Sequence, residues 1–173
     1  MSTPRDYCVF SPGAPYGPAK IWPGENYRKL GVELTSGGEP GIVAVGASAE
    51  EGYISGILDN IGNSVNLAGK TSIRELIAIL KGAKAVIGND SGTVHLSAAL
   101  GVPTVAIFGS TSPEWTSPRG ENAEVLRSKI SCSPCFEREC RIYEYARCFD
   151  DIKVSDVLKA LSRIRKGADI ERI

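Results

Sequence analysis

Short apolar runs, most of them followed by Gly or Ser, punctuate this chain. They fall at 7–10, 42–45, 64–67, 85–87, 104–108 and 123–126. Several are apolar throughout instead of alternating, which is the pattern of strands buried on both faces of a parallel sheet. Between them the apolar spacing turns helical. The segment 25–34 carries Tyr27, Leu30 and Leu34, with Pro23 suited to a first helical position. A stripe of Tyr53, Ile54, Ile57, Leu58 and Ile61 predicts a helix over 49–61. Ser72 and Glu75 form a capping box opening 72–81, and Gly101 closes the small, apolar segment 91–100. The last helix is predicted over 152–165, with Ser155 as its cap and Val154, Val157, Leu158, Leu161 and Ile164 on its apolar face.

Strand then helix, repeated about five times, is the βαβ pattern of a doubly wound fold. The prediction is an α/β, Rossmann-like parallel sheet of about six strands in the order 3-2-1-4-5-6, with right-handed crossovers. One domain over 1–173 follows from the length. The irregular stretches, 110–117 and 131–151, are longer than compact domains usually tolerate without a purpose.

Composition narrows the function classes. The 20 Lys+Arg balance the 20 Asp+Glu, and aromatic residues are only 7% of the chain. A general nucleic-acid binder would be basic, and a single-strand stacking platform would be aromatic, so neither is expected. No apolar stretch approaches the ~20 residues that span a bilayer. The start, Met1-Ser-Thr-Pro-Arg-Asp, lacks the pattern of a secretory leader, so a cytosolic chain is the default expectation.

In open α/β sheets ligands bind beyond the carboxyl ends of the strands, and three loops there carry candidate chemistry. The loop 11–23 is rich in Pro and Gly and ends near Lys20, a mobile positive charge suited to a phosphate. It has neither the P-loop nor the dinucleotide glycine fingerprint, and a solvated lysine on a Pro-rich turn would look the same. The loop Gly88-Asn89-Asp90-Ser91-Gly92-Thr93 opens a helix whose first N–H groups have no intrahelical partner, a ready anion site. Gly92 admits close approach, Ser91 offers a hydroxyl, and Asp90 is either an N-cap or a carboxylate for sugar hydroxyls. His95 is one helical turn beyond Ser91, so it either meets the same anion or packs near the sheet end. After the second strand, Glu50 and Glu51 could hold ribose hydroxyls or merely favour the first turn of a helix.

Cysteine usage adds a separate question. Cys8 lies in an apolar run and reads as a small core residue. The other four form Cys132-x2-Cys135-x4-Cys140-x7-Cys148. Four thiolates make a complete structural set for zinc or an iron–sulfur cluster, although the second spacing departs from zinc ribbons. A disulfide or redox pair and free structural thiols are the other readings.

Taken together, several motifs resemble one family. They are Pro12-Gly13-Ala14 with Gly17-Pro18-Ala19-Lys20-x-Trp22-Pro23, then Asn66-Leu67-Ala68-Gly69-Lys70-Thr71, then Asn89-Asp90-Ser91-Gly92-x2-His95, with Phe108-Gly109-Ser110-Thr111-Ser112-Pro113 and the Cys-x2-Cys run leading to Asp150-Asp151-Ile152. Their order closely resembles the heptosyltransferases of glycosyltransferase family 9, nearest the heptosyltransferase II type, over nearly the whole chain.

That resemblance implies one half of a two-Rossmann glycosyltransferase, the C-terminal donor-binding half. It implies the donor ADP-heptose and transfer to the inner core of lipopolysaccharide. Lys20 would meet the diphosphate, Ser91 and Gly92 would receive it, Asp90 would hold heptose hydroxyls, Thr71 would line the adenine and His95 the site. The ribose acid falls at Ser48 or Glu50. No catalytic residue is expected here, because the family's carboxylate base and its lipid A–Kdo acceptor site lie in an N-terminal domain that this chain lacks. Alone, the chain is expected to bind donor and transfer little. No cofactor is implied for the chemistry, and the whole enzyme would sit peripherally at the cytoplasmic face of the inner membrane. A nucleotide-sugar 2-epimerase is the alternative within this architecture, but it would carry Gln-Glu-Glu where Thr93-Val94-His95-Leu96 stands. A metal-binding interaction module organised by Cys132, Cys135, Cys140 and Cys148 is the alternative outside it.

Overall fold

The computed structural model describes residues 4–38 and 40–170, with side chains of the last helix described as far as Ile164. The first three residues, part of the segment that lacks a leader pattern, and the far end of the predicted 1–173 domain lie outside the described residues. Six strands form one sheet: β1 (Tyr7–Ser11), β2 (Gly41–Ala44), β3 (Ser64–Asn66), β4 (Ala85–Asn89), β5 (Thr104–Phe108) and β6 (Ala123–Arg127). Their order is β3-β2-β1-β4-β5-β6, and every neighbouring pair is parallel. The predicted order is therefore observed.

The unbroken apolar runs have a direct cause. Cys8 and Phe10 of β1 share one core with Ile42, Ile87 and Ile107, beneath α1 (Gly24–Thr35), α2 (Glu51–Leu58) and α6 (Val154–Ile170). Tyr7 and Val9 point the other way, into a second core with Val43, Val86 and Leu80, where α3 (Ile73–Gly82) packs. Alternate residues of one strand thus serve two cores, so both sets must be apolar. Burying a side chain such as Phe10 or Leu30 completely stabilises the fold by roughly 1.5–3 kcal/mol each. The edge strands β3 and β6 are only half-buried.

Several boundaries differ from the predicted ones. The helix expected over 49–61 is a 3-10 turn, Ser48–Glu50, followed by a shorter α2. Asn60 then takes a left-handed φ of 68°, and Ile61 enters the core from a loop. Pro23 precedes α1 instead of opening it. The last helix begins at Val154 and continues to Ile170, beyond the expected 152–165. Ser155 falls inside its first turn, and the Asp156 carboxylate accepts the Lys153 N–H in the capping role. The Ser72–Glu75 capping box forms as expected, and Gly101 has φ 74° at the end of α4 (Gly92–Ala99). A four-residue helix, α5 (Pro113–Thr116), was not predicted. Among the described residues no helix is long and apolar enough to cross a membrane.

Candidate functional site

The strand order reverses between β1 and β4, and the loops leaving these two strands diverge to opposite sides, opening a crevice. The loop after β1 is held there by Asn89, the last residue of β4, which is fully buried. Its Nδ2 donates to Pro12 O at 2.6 Å, and its Oδ1 accepts from Trp22 N at 3.0 Å and the Tyr27 hydroxyl at 3.2 Å. One amide side chain thus fixes both ends of the segment that carries Lys20. Gly17, at φ 154°, lets that segment press against the loop beyond β6, since a Cβ there would lie 2.5 Å from Arg138 O. The adjacent Ala19 N–H donates to the same carbonyl at 3.0 Å.

Lys20 ends a 3-10 turn, Pro18–Lys20, and reaches Asp90 just past β4, with Nζ 2.5 Å from Oδ2. The Tyr16 ring lies 4.8 Å from the same ammonium. Asp90 is not a free carboxylate. Its Oδ2 also accepts the Thr111 hydroxyl at 2.8 Å, and its Oδ1 lies 3.3 Å from His95 Nε2. Nor is Asp90 the N-cap: the cap of α4 is Ser91, whose φ and ψ are extended. The unsatisfied donors of this helix are therefore those of Gly92, Thr93 and Val94. The Ser91 hydroxyl makes no capping bond, and this buried oxygen has no hydrogen-bond partner among the described residues.

Ser91 also lines the adjoining cavity, about 350 Å³, together with Gly13, Glu50, Thr71, Gly92 and Leu96. A Cβ on Gly92 would face open space. Lys20, Asp90 and His95 are not among these walls; they form a second group, joined to the cavity through the Asp90–Ser91 peptide. Of the two candidates for a ribose acid, Glu50 lines the cavity, whereas Ser48 is exposed and packs against Gly69. Glu50 Oε2 accepts the Ala47 N–H at 2.8 Å, and the carboxylate occupies the space a side chain at position 13 would need: a Cβ on Gly13 would lie 2.0 Å from Oε1. Tyr53 is nearby, and burial together with the Glu50 charge pushes its hydroxyl up to about 12. Glu51 turns to Lys70 instead, at 2.8 Å.

Asn89, Thr111 and Tyr16 belong to this site although nothing in their spacing marked them. Asn89 and Thr111 did stand in motifs, but their roles need tertiary contacts, of Trp22 and Tyr27 with Asn89 and of the loop after β5 with Asp90.

The four clustered cysteines lie elsewhere. Cys132, Cys135, Cys140 and Cys148 all line one cavity of about 170 Å³, none of whose walls is shared with the crevice cavity. None of them is in a disulfide. Burial and the charges of the other three push the Cys148 thiol up to about 12. Among the described residues no three His, Cys, Asp or Glu side chains stand in an arrangement that could already hold a metal ion.

Comparison with known proteins agrees with this architecture. The model of glycosyltransferase family 9 (heptosyltransferase) matches residues 1–146. Lipopolysaccharide heptosyltransferase 2 of Salmonella typhimurium is 35% identical over 132 residues, 73% of this chain and 38% of that protein. Lipooligosaccharide heptosyltransferase 2 of Campylobacter jejuni is 32% identical over 164 residues, 92% of this chain and 51% of that one. The solved structure of E. coli ADP-heptose lipopolysaccharide heptosyltransferase II superposes with a TM-score of 0.82 at 29% identity, covering 98% of this chain and 49% of that one. The chain thus spans about half the length of the relatives it matches, or less. With a family model over most of its length and relatives above 30% identity, the chain belongs to glycosyltransferase family 9, the heptosyltransferases.

Proposed function

We propose that this chain is the donor-binding half of a heptosyltransferase, taking ADP-heptose for transfer to the inner core of lipopolysaccharide. The observation that carries the reading is the convergence, at one reversal of strand order, of Lys20 with the N-terminus of α4, where a buried Ser91 hydroxyl has no partner. That is a constellation for a diphosphate: a held cation, three helix N–H donors and a hydroxyl.

In this reading adenosine occupies the cavity of Thr71 and Leu96, and Glu50 accepts from the ribose diol. The diphosphate lies across Gly92, where no side chain intrudes, and draws Lys20 partly away from Asp90. Lys20 has donors beyond the one given to Asp90, so it can serve both. Asp90 Oδ1, whose contact to His95 is long, is the oxygen open to a heptose hydroxyl. During transfer the bond from the heptose anomeric carbon to the diphosphate breaks while a bond from an acceptor hydroxyl forms. Negative charge grows on the departing ADP, and Lys20 with the α4 N-terminus stabilises it at a preorganised site. The acceptor proton goes to a base outside this chain. The acceptor, lipid A bearing Kdo, and a peripheral position at the cytoplasmic face of the inner membrane belong to the whole protein, and so does turnover.

Calorimetric titration of this chain with ADP tests the proposal. Saturable binding that competes with ADP-heptose is the expected result. A folded chain with no affinity for either overturns it, and would leave the module organised by the cysteines as the better reading.

A further inference from the structure

We propose that Cys132, Cys135, Cys140 and Cys148 form a four-thiolate site for one thiophilic transition-metal ion, zinc in the first instance, which ties down the loop 131–150. This is independent of the donor reading.

Four observations lead there. First, the thiols of a twenty-residue segment converge on a single cavity, and none is spent in a disulfide. Second, the loop has one short turn, Arg147–Phe149, as its only helix or strand, so ordering it costs conformational entropy that something must offset. Third, packing of its large side chains does not supply that offset. Phe149 is buried, but Phe136 is 40% exposed, Tyr143 36% and Tyr145 60%. Fourth, Ser110 is 1% exposed, lines the same cavity, and its hydroxyl has no partner among the described residues. An isolated buried hydroxyl is costly, and metal-bound thiolate sulfur is an acceptor that would satisfy it.

The chemistry of the donor set decides the class of ligand. Four thiolates select a soft ion in a tetrahedral site, zinc or iron, over magnesium or calcium. Metal–sulfur bonds of about 2.3 Å require the sulfurs to draw closer together than they now stand. The loop allows this. It is anchored at its base, where Cys135 N and Phe136 N donate to Ser110 O and Ser133 Oγ donates to Gly109 O, while the stretch holding Cys140 is built of bends. Binding would then release the thiol protons and convert metal affinity into loop stability.

The test is elemental analysis of chain purified without chelator, with cobalt reconstitution read by absorption spectroscopy. About one zinc or iron per chain is expected by the four-ligand stoichiometry, with cobalt giving thiolate charge-transfer and tetrahedral ligand-field bands. The paired substitution Cys140→Ser with Cys148→Ser should abolish both. Because that variant could fail to fold, the cobalt spectrum of the unaltered chain stands by itself. No retained metal and no cobalt bands from a chain folded by circular dichroism overturns the proposal. So do disulfides among these cysteines by mass spectrometry, or metal retained undiminished in the double variant.

Discussion

Lys20 Nζ lies 2.5 Å from Asp90 Oδ2, and that ion pair bridges the two strands between which the sheet reverses its order. Both side chains are largely removed from water, Asp90 at 5% and Lys20 at 13% exposure. The pair therefore holds the Lys20 ammonium in place, with the Tyr16 ring 4.8 Å from it.

Replacing Lys20 has two separable consequences. Lys20→Ala should weaken ADP binding by about 1–3 kcal/mol, roughly five- to 150-fold in Kd, the scale of a lost charge-assisted hydrogen bond. It also strands a buried carboxylate with Thr111 and His95 as its remaining partners, so stability should fall as well. Asp90→Asn in the same background should recover much of the stability and none of the affinity. Calorimetry and urea unfolding of the single and double variants check this. An unchanged Kd for Lys20→Ala would remove that residue from the site.

Asn89 predicts a different signature. Its side chain satisfies three buried groups, Pro12 O, Trp22 N and the Tyr27 hydroxyl. Asn89→Ala leaves all three without it, and a single unsatisfied buried group costs about 1–3 kcal/mol. A loss above that range is expected in chemical denaturation, together with weaker ADP binding, since Lys20 sits on the segment that is released. Asn89→Asp should fail equally, because a carboxylate cannot donate to Pro12 O.

The contrast between these residues shows what was legible in the chain. The two-faced burial of β1 followed from the apolar run Tyr7–Phe10, which has no polar position, and the strand order from the repeated strand–helix alternation. Lys20, Ser91 and Gly92 were legible as loop chemistry at strand ends. Asn89 stood in the same motif, but its role was not legible, because that role exists only once Trp22 and Tyr27 are brought against it. The resemblance left the ribose role between Ser48, nearest the family's position, and Glu50 close behind it. What separates them is tertiary: Gly13, from another loop, leaves the volume that the Glu50 carboxylate fills. The spacing of the four cysteines marked a cluster, and the fold was needed to place them on one cavity away from the crevice.

Alkaline stability should report on two tyrosines. Burial lifts Tyr27 well above 10 and Tyr53 to about 12. Below pH 10 both are neutral in the folded and unfolded chain, so their contribution is fully present. As pH rises past 10 the unfolded chain ionises while these hydroxyls resist, so stability falls, and for Tyr53 the fall ends near pH 12. Tyr53→Phe should flatten part of that decline. The effect should be small, since Tyr53 is 40% exposed and solvent screens its surroundings. Urea unfolding at pH 9 and above measures it, and an identical slope in the variant counts against the shift.

Ser91 provides the sharpest separation of stability from binding. An N-cap serine replaced by alanine ordinarily costs about 0.5–2 kcal/mol because its capping bond is lost. Here no such bond exists, and the hydroxyl is buried without a partner. Removing it deletes an unsatisfied polar atom, so Ser91→Ala should leave the unliganded chain as stable as before or more so. If the hydroxyl is held in reserve for a diphosphate oxygen, the same variant should bind ADP several-fold more weakly. Gly92→Ala is a useful companion, because its Cβ enters the open space above the helix and should hinder a ligand there without meeting any protein atom. Thermal unfolding with and without ADP reads both quantities in one experiment. A Ser91→Ala chain that loses stability without ligand would mean the hydroxyl already has a structural partner. One that keeps full ADP affinity would mean the diphosphate does not reach the N-terminus of α4.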